Sequence, residues 1–172
     1  SPMLQTLVIS VSLAIVVSAL CSICEAVLYS LTTSQVEMLR KSGTRAGTTL
    51  HDLKSDIDEP ITAILTLNTI ANTVGAAIAG AAAAHLFGDR NVIFFSTAFT
   101  MAILIFSEII PKTMGANHWQ KLVPFTVATL RVIIFVLYPL VWVSQIITGR
   151  MQKDKSRSVY SHSEFLAMAE IG

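Results

Sequence analysis

Polar side chains that can bind a cation recur at helical spacing inside long apolar stretches of this sequence. Ser18, Ser22 and Glu25 follow one another at intervals of four and three residues, so a helix places all three on one face. Asn68 and Asn72 repeat the four-residue interval in the next apolar stretch. Polar groups inside membrane helices are costly and usually functional, which makes these five residues candidates for an ion site.

A third polar set lies just before a proline. Ser107 and Glu108 precede Pro111, which has no backbone N–H and therefore frees a carbonyl about one turn earlier. Lys112 follows Glu108 by one helical turn, so an ordinary ion pair between them is the alternative explanation for this carboxylate. In a transporter, the same lysine would compete with a cation for Glu108 and act as a gate.

The candidate ligands are all oxygen atoms. Carboxylate, amide and hydroxyl oxygens suit hard cations such as Mg²⁺, Ca²⁺ or Na⁺. At a helical rise of about 1.5 Å per residue, Asn72 lies near the middle of its apolar run. Ser22 and Glu108 lie in the halves of their runs that are predicted to be nearer the cytoplasm. Cys21 and Cys24 form a CxxC pair without nearby histidines, which favours packing over redox or metal chemistry.

The elements that position these residues are predicted to be membrane helices. The chain is 53% hydrophobic and 13% charged, whereas a soluble domain is about 25% charged. Such a composition excludes a disordered chain, a disulfide scaffold and an ordinary cytosolic enzyme. A formal net charge of +1 also gives no reason to expect a nucleic-acid partner. Apolar runs over residues 4–31, 61–87 and 91–114 are each long enough to cross the lipid bilayer.

A fourth apolar region, residues 118–148, is predicted to be a kinked juxtamembrane helix that does not cross. Pro124 and Pro139 interrupt it and Arg131 lies near its middle. Basic residues favour the cytoplasm. If this region crossed the membrane, Arg150 and the three basic residues of the tail 151–172 would lie outside. The alternative is a fourth span with a buried Arg131 salt bridge.

Two further features leave alternatives open. The second run contains a series of small residues, 75–84, which predicts close helix packing within the subunit or a dimer seam. Glu25 lies six residues from the end of its run, so it could extend to the cytoplasm or pair with Arg131 instead of serving an ion.

Residues 4–150 resemble the transmembrane domain of the CNNM/CorC family of magnesium transporters. The residues that carry the resemblance, in order, are Ser18, Ser22, Glu25, Asn68, Asn72 and the segment 106–112, FSEIIPK. The family pattern often has glycine where this chain has Ser107, so a backbone ligand at that position would differ slightly in geometry.

The resemblance implies an all-α integral membrane domain over residues 1–150, with three transmembrane helices and a juxtamembrane belt helix. It also implies a homodimer in the lipid bilayer of a plasma or inner membrane. The same resemblance implies that the amino terminus of the chain is outside and that its carboxyl terminus is cytoplasmic. From the same resemblance, residues 151–172 begin a linker, with a capped helix at 161–166, toward an ATP-binding pair of CBS domains beyond this chain.

The function implied by the resemblance is sodium-coupled Mg²⁺ export. Ser22, Asn72 and Glu108 would be the ligands of a dehydrated Mg²⁺, the transported substrate, with Na⁺ as the coupling ion. The supporting or coupling-ion residues would be Ser18, Glu25, Asn68, Ser107 and Lys112. Two alternatives remain: a non-transporting membrane anchor that senses Mg²⁺, and an intramembrane enzyme. The enzyme is disfavoured because no aspartate lies in any of the apolar runs and no histidine lies near Ser22.

Overall fold

The computed structural model describes residues 1–159, with side chains to Met151, and this part of the chain contains helices and no strand. The predicted capped helix at 161–166 lies outside the described residues. The α-helices in chain order are α1 (Pro2–Ser30), α2 (Thr33–Lys41), α3 (Arg45–Ser55), α4 (Asp58–Phe87), α5 (Val92–Ala102), α6 (Ile110–Asn117), α7 (Trp119–Val136) and α8 (Tyr138–Val159).

Four helical stretches in the described chain are long and apolar enough to cross a membrane. They are Pro2–Ser30, Asp58–Phe87, Asp89–Asn117 and Trp119–Val136. The first three coincide with the predicted apolar runs. The second and third are antiparallel neighbours, as the short link predicted, because Gly88 turns the chain with a φ of 81° that suits glycine.

Helices α1 and α4 pack closely along their length. An added Cβ at Gly75 of α4 would lie 2.6 Å from the Cβ of Ala14 on α1, which is too close for two carbon atoms. Beyond this point, Ala79, Ala82 and Ala83 are buried beside Leu7. One face of the small residues in the second run therefore packs within the subunit, because only small side chains allow such an approach.

The close contact at Gly75 predicts a position-dependent effect of adding one methyl group. Gly75→Ala is expected to destabilise the fold by about 1–3 kcal/mol, because the helices must separate or shift to admit it. Gly80→Ala on the same helix is the control, since nothing lies within 4 Å of its added methyl group. Thermal unfolding in detergent should show a lower midpoint for the first variant only; equal midpoints would contradict this packing.

The third long helix changes its hydrogen-bond register near the candidate ligands. Between α5 and α6, residues Ile103–Ile109 form a π-helical turn. The N–H of Ile110 donates to the carbonyl of Ile105, five residues earlier instead of four. Such turns inside α-helices are rare and frequently mark functional sites.

Helices α2 and α3 form a short hairpin at one end of the bundle, hereafter the hairpin end, where α1 ends and α4 begins. The α2 helix starts with a capping box, in which the Thr32 hydroxyl accepts from the N–H of Gln35 and the Gln35 side chain accepts from the N–H of Thr32. Lys54 of α3 donates to the Leu28 carbonyl in the last turn of α1, at 2.7 Å. This bond satisfies a carbonyl that the end of α1 leaves without a helical partner.

Helix α7 packs across the hairpin end. Its buried residues Val123, Val127 and Leu130 share an apolar cluster with the last turns of α1 and with Leu50 of α3. Farther along, Ile133 of α7 joins a cluster with Ala63 of α4 and Val141 of α8. These partners lie at the ends of α1 and α4 rather than along their full length.

A break at Leu137 separates α7 from α8. Pro139 occupies the first turn of α8, where its missing N–H costs nothing. The predicted interruption at Pro124 was wrong, because Pro124 lies inside α7, which continues through it. The side chain of Arg131 is exposed on α7, so it forms neither the buried salt bridge of a fourth span nor the pair with Glu25 considered as alternatives above.

Candidate cation site

Asn68 connects polar side chains from the three long helices. Its Oδ1 accepts from the Ser18 hydroxyl on α1 at 2.6 Å and from Nδ2 of Asn72, one turn away on α4, at 3.2 Å. Its own Nδ2 donates to Oε1 of Glu108 in the π-helical turn, at 3.3 Å. Four of the residues selected from the sequence therefore lie in one hydrogen-bonded group.

Two carboxylates meet at one lysine beside this group. Nζ of Lys112 lies 3.0 Å from Oε2 of Glu108 on the same helix and 3.4 Å from Oε2 of Glu25 on α1. The ion pair considered as an alternative for Glu108 is thus formed, and Glu25 shares the same ammonium. Each oxygen of the Glu108 carboxylate has a partner, with Asn68 on one and Lys112 on the other.

Two side-chain oxygen atoms, one on α1 and one on α4, are buried without a hydrogen bond. They are Oγ of Ser22 and Oδ1 of Asn72; the third such atom among the described side chains is Oγ1 of Thr126 on α7. Ser22 lies on α1 between Ser18, which belongs to the group, and Glu25, which contacts Lys112, so helical spacing places its hydroxyl on the same face. Buried polar atoms are normally hydrogen-bonded, and unpartnered oxygens of this kind are available to a cation.

The π-helical turn adds a backbone oxygen. In its five-residue register, the carbonyl of Phe106 would accept from residue 111, which is proline and has no N–H. In the four-residue register of α6, Pro111 also lies opposite the carbonyl of Ser107, where sequence spacing predicted a free carbonyl. The Ser107 hydroxyl itself is buried and donates to the carbonyl of Ile15 on α1, at 3.1 Å, so it ties the turn to α1.

Some features of the site were not anticipated from the sequence. The shared ammonium between Glu25 and Glu108 is one, and the role of Asn68 as the common partner is another. The four-residue spacing of the two asparagines was the available signal for the second. Cys21 and Cys24 are free and buried in the apolar cluster at the hairpin end, as a packing role predicts.

The donor set favours hard cations over transition metals. Among the described residues, no three His, Cys, Asp or Glu side chains are grouped to hold a metal. The site instead combines two carboxylates with neutral hydroxyl, amide and carbonyl oxygens. Oxygen-only environments of this composition are typical of Mg²⁺, Ca²⁺ or Na⁺ binding.

The apolar helices and the polar group among them define a multi-pass integral membrane protein. The family model described as the cyclin M (CNNM) transmembrane N-terminal domain matches residues 9–172. The chain therefore belongs to the CNNM family, which confirms the resemblance found in the sequence.

Three bacterial proteins are similar to this chain over most of its length. A UPF0053 protein of Synechocystis is 30% identical over 90% of this chain, and one of Haemophilus influenzae is 31% identical over 94%. The UPF0053 inner membrane protein YfjD of Escherichia coli is 27% identical over 80%. These matches cover 45%, 40% and 32% of the three relatives, so this chain spans less than half of their length.

Proposed function

We propose that this protein is a Mg²⁺ carrier that binds a dehydrated Mg²⁺ among its first three membrane helices and exports it in exchange for Na⁺. The ligands in this proposal are Ser22, Asn72 and Glu108. The observation that carries it is that Oγ of Ser22 and Oδ1 of Asn72 are buried without hydrogen bonds, while Asn72 is linked through Asn68 to the Glu108 carboxylate. Leaving a buried polar atom unpaired costs about 1–3 kcal/mol, and coordination of a cation would offset that cost.

The chemistry of the donors suits a substrate that must be bound and then released. Mg²⁺ prefers near-octahedral oxygen coordination at about 2.1 Å and gives up its water reluctantly. One carboxylate with several neutral oxygens replaces part of that water while leaving residual positive charge on the ion. The carbonyl of Phe106 is a further candidate ligand, because it lies in the same turn as Glu108 and the five-residue register places Pro111, which has no N–H, opposite it. In this proposal the protein acts as a carrier and not as an enzyme.

The coupling ion is proposed to use the remaining polar groups. Glu25 supplies a second carboxylate within reach of the same lysine as Glu108. Ser18 and Asn68 supply neutral oxygens next to Asn72. We assign these three residues to Na⁺ or to support of the Mg²⁺ ligands, because Na⁺ also accepts oxygen ligands but needs less charge.

The proposed topology has three crossing helices and a belt helix in the inner leaflet. An 18-residue helix such as α7 is about 27 Å long, so a fourth span parallel to α1 would contact it over its length. Its buried residues instead contact the last turns of α1 and the first turns of α4. With the four basic residues of the hairpin stretch 32–59 in the cytoplasm, the amino terminus lies outside.

The location and the assembly of the domain are further parts of the proposal. The inner membrane is the proposed location, since this is how one bacterial relative is described. A homodimer is supported by the outward-facing small residues of α4, such as the exposed Ala76, Ala77 and Ala81. The ATP-binding CBS pair is a proposal about residues outside this chain.

Flux measurements test the proposed activity directly. In liposomes that contain the purified protein, Na⁺ flow down its gradient is expected to drive Mg²⁺ in the opposite direction. A Mg²⁺-sensitive dye follows the Mg²⁺ flux. Replacing Na⁺ with choline should stop the flux. A protein that binds Mg²⁺ with Glu108-dependent affinity but gives no flux in either buffer would instead be a Mg²⁺-sensing anchor.

A further inference from the structure

The ammonium of Lys112 lies where a cation would have to approach the two carboxylates. It contacts Oε2 of Glu108 at 3.0 Å and Oε2 of Glu25 at 3.4 Å, and these residues come from different helices. The other oxygen of Glu108 is held by Asn68. Each carboxylate oxygen keeps a further lone pair, so a cation at Glu108 competes with the Lys112 ammonium through repulsion between their like charges, not through a shortage of acceptor sites.

The lysine is the partner that can leave more easily. Its side chain is 41% exposed, whereas the Glu108 side chain is 24% exposed, so Lys112 has an open route away from the carboxylates. Asn68 is held by two further hydrogen bonds, from Ser18 and Asn72. Lysine also has four flexible methylene groups, so its ammonium can move while its backbone stays in α6.

The charges of the site give a reason for the exchange. Two carboxylates and one ammonium sum to one net negative charge. Addition of a divalent cation with the ammonium still in place would leave one net positive charge at the partly buried carboxylates, whereas departure of the ammonium would leave the site neutral. Like charges close together in a low-dielectric environment repel strongly, so the two cations should exclude one another.

We infer that Lys112 is a tethered counter-ion that alternates with the transported divalent cation at Glu25 and Glu108. This inference rests on the proposed function and specifies how its site is regulated. The ammonium neutralises the carboxylates between transport cycles and, by returning, lowers the affinity for the bound ion and speeds its release. A purely structural ion pair would instead hold α6 against α1 in every state.

The first test measures Mg²⁺ affinity and transport in Lys112→Met, which keeps the length of the side chain but removes its charge. Equilibrium binding in nanodiscs is expected to be about tenfold tighter, because the competitor is gone. Flux at saturating Mg²⁺ is expected to fall because release slows. Lys112→Arg, which keeps the charge and therefore the competitor, should not bind Mg²⁺ more tightly than the unsubstituted protein. Unchanged or weaker binding by Lys112→Met would overturn the inference.

A second test uses the unsubstituted protein and therefore does not depend on folding of a variant. Acylation of lysine amines, read by mass spectrometry, should become faster at Lys112 when Mg²⁺ is added. Lys54 is the matched control, because its ammonium is also held, by the Leu28 carbonyl, but outside the site. Its rate should not change, and an unchanged or slower rate at Lys112 would contradict displacement.

These results separate the inference from the function on which it rests. If Mg²⁺ binds and Glu108→Gln abolishes binding, but Lys112→Met binds no more tightly, only the role of the lysine is wrong. If the unsubstituted protein shows no Glu108-dependent Mg²⁺ binding, the proposed function fails as well.

Discussion

Glu108→Gln is expected to abolish Mg²⁺ transport and to weaken Mg²⁺ binding by more than about 100-fold, equivalent to roughly 2.7 kcal/mol. Glutamine keeps the shape of the side chain and an oxygen that can accept from Asn68 Nδ2, so the hydrogen-bonded group persists. The negative charge is lost, however, and neutral oxygens alone replace the water of a divalent cation poorly. Isothermal titration of Mg²⁺ and liposome flux measure the two effects.

Glu37→Gln is the control for this change. Glu37 lies on the exposed hairpin and pairs with Arg40, with an N–O distance of 2.6 Å. That neighbour lowers the pKa of the Glu37 carboxyl, chiefly through a hydrogen bond. Exposed pairs of this kind contribute little to stability, so binding and flux should remain unchanged. Full flux in Glu108→Gln would mean that Glu108 serves only as an ion-pair partner of Lys112.

Ser22→Ala is expected to weaken Mg²⁺ binding by about tenfold, or roughly 1.4 kcal/mol, without destabilising the protein. Its hydroxyl is fully buried and has no hydrogen-bond partner, so removal of the oxygen eliminates an unpaired polar atom. Thermal unfolding without Mg²⁺ should therefore occur at the same or a higher temperature. Asn72→Leu should weaken binding similarly, but it also loses the hydrogen bond to Asn68 and should unfold at a lower temperature.

Thr126→Val is the control that distinguishes loss of a Mg²⁺ ligand from loss of a buried hydroxyl group elsewhere in the protein. Thr126 is also fully buried with an unpartnered oxygen, but it lies on α7, outside the hydrogen-bonded group. Its replacement should leave Mg²⁺ binding unchanged and stability equal or higher. Equal losses of affinity in Ser22→Ala and Thr126→Val would indicate a general packing effect and remove Ser22 from the ligand set.

The sequence was sufficient to predict the all-helical membrane fold and the shared faces of the polar residues. Apolar runs of membrane length and the fixed 3.6-residue period carry this information locally. Ser18 and Asn72 thus meet at Asn68 because each run presents one polar face toward the centre of the bundle. The break near Pro139 was also indicated locally, because proline favours the first turn of a helix, whereas Pro124 gave the same local signal and α7 continues through it.

The remaining features depend on contacts between distant residues. The π-helical turn at Ile103–Ile109 lies within a segment where the Ser107 hydroxyl reaches the carbonyl of Ile15, and no local pattern specifies that contact. The choice of Lys112 over Arg131 as the partner of Glu25 depends on which face of α7 packs against α1. The spacing of residues along one helix predicts neither the contact between Ser107 and Ile15 nor the pairing of Lys112 with Glu25.

The most direct test of the account is the position of Mn²⁺, used in place of Mg²⁺, in an anomalous difference map of the crystallised protein. We expect one peak bounded by Ser22 Oγ, Asn72 Oδ1 and the Glu108 carboxylate, about 2.1–2.3 Å from each ligand, with the Lys112 ammonium moved away. A peak only among the acidic residues near the start of α4, or none between the three helices at saturating Mn²⁺, would contradict it.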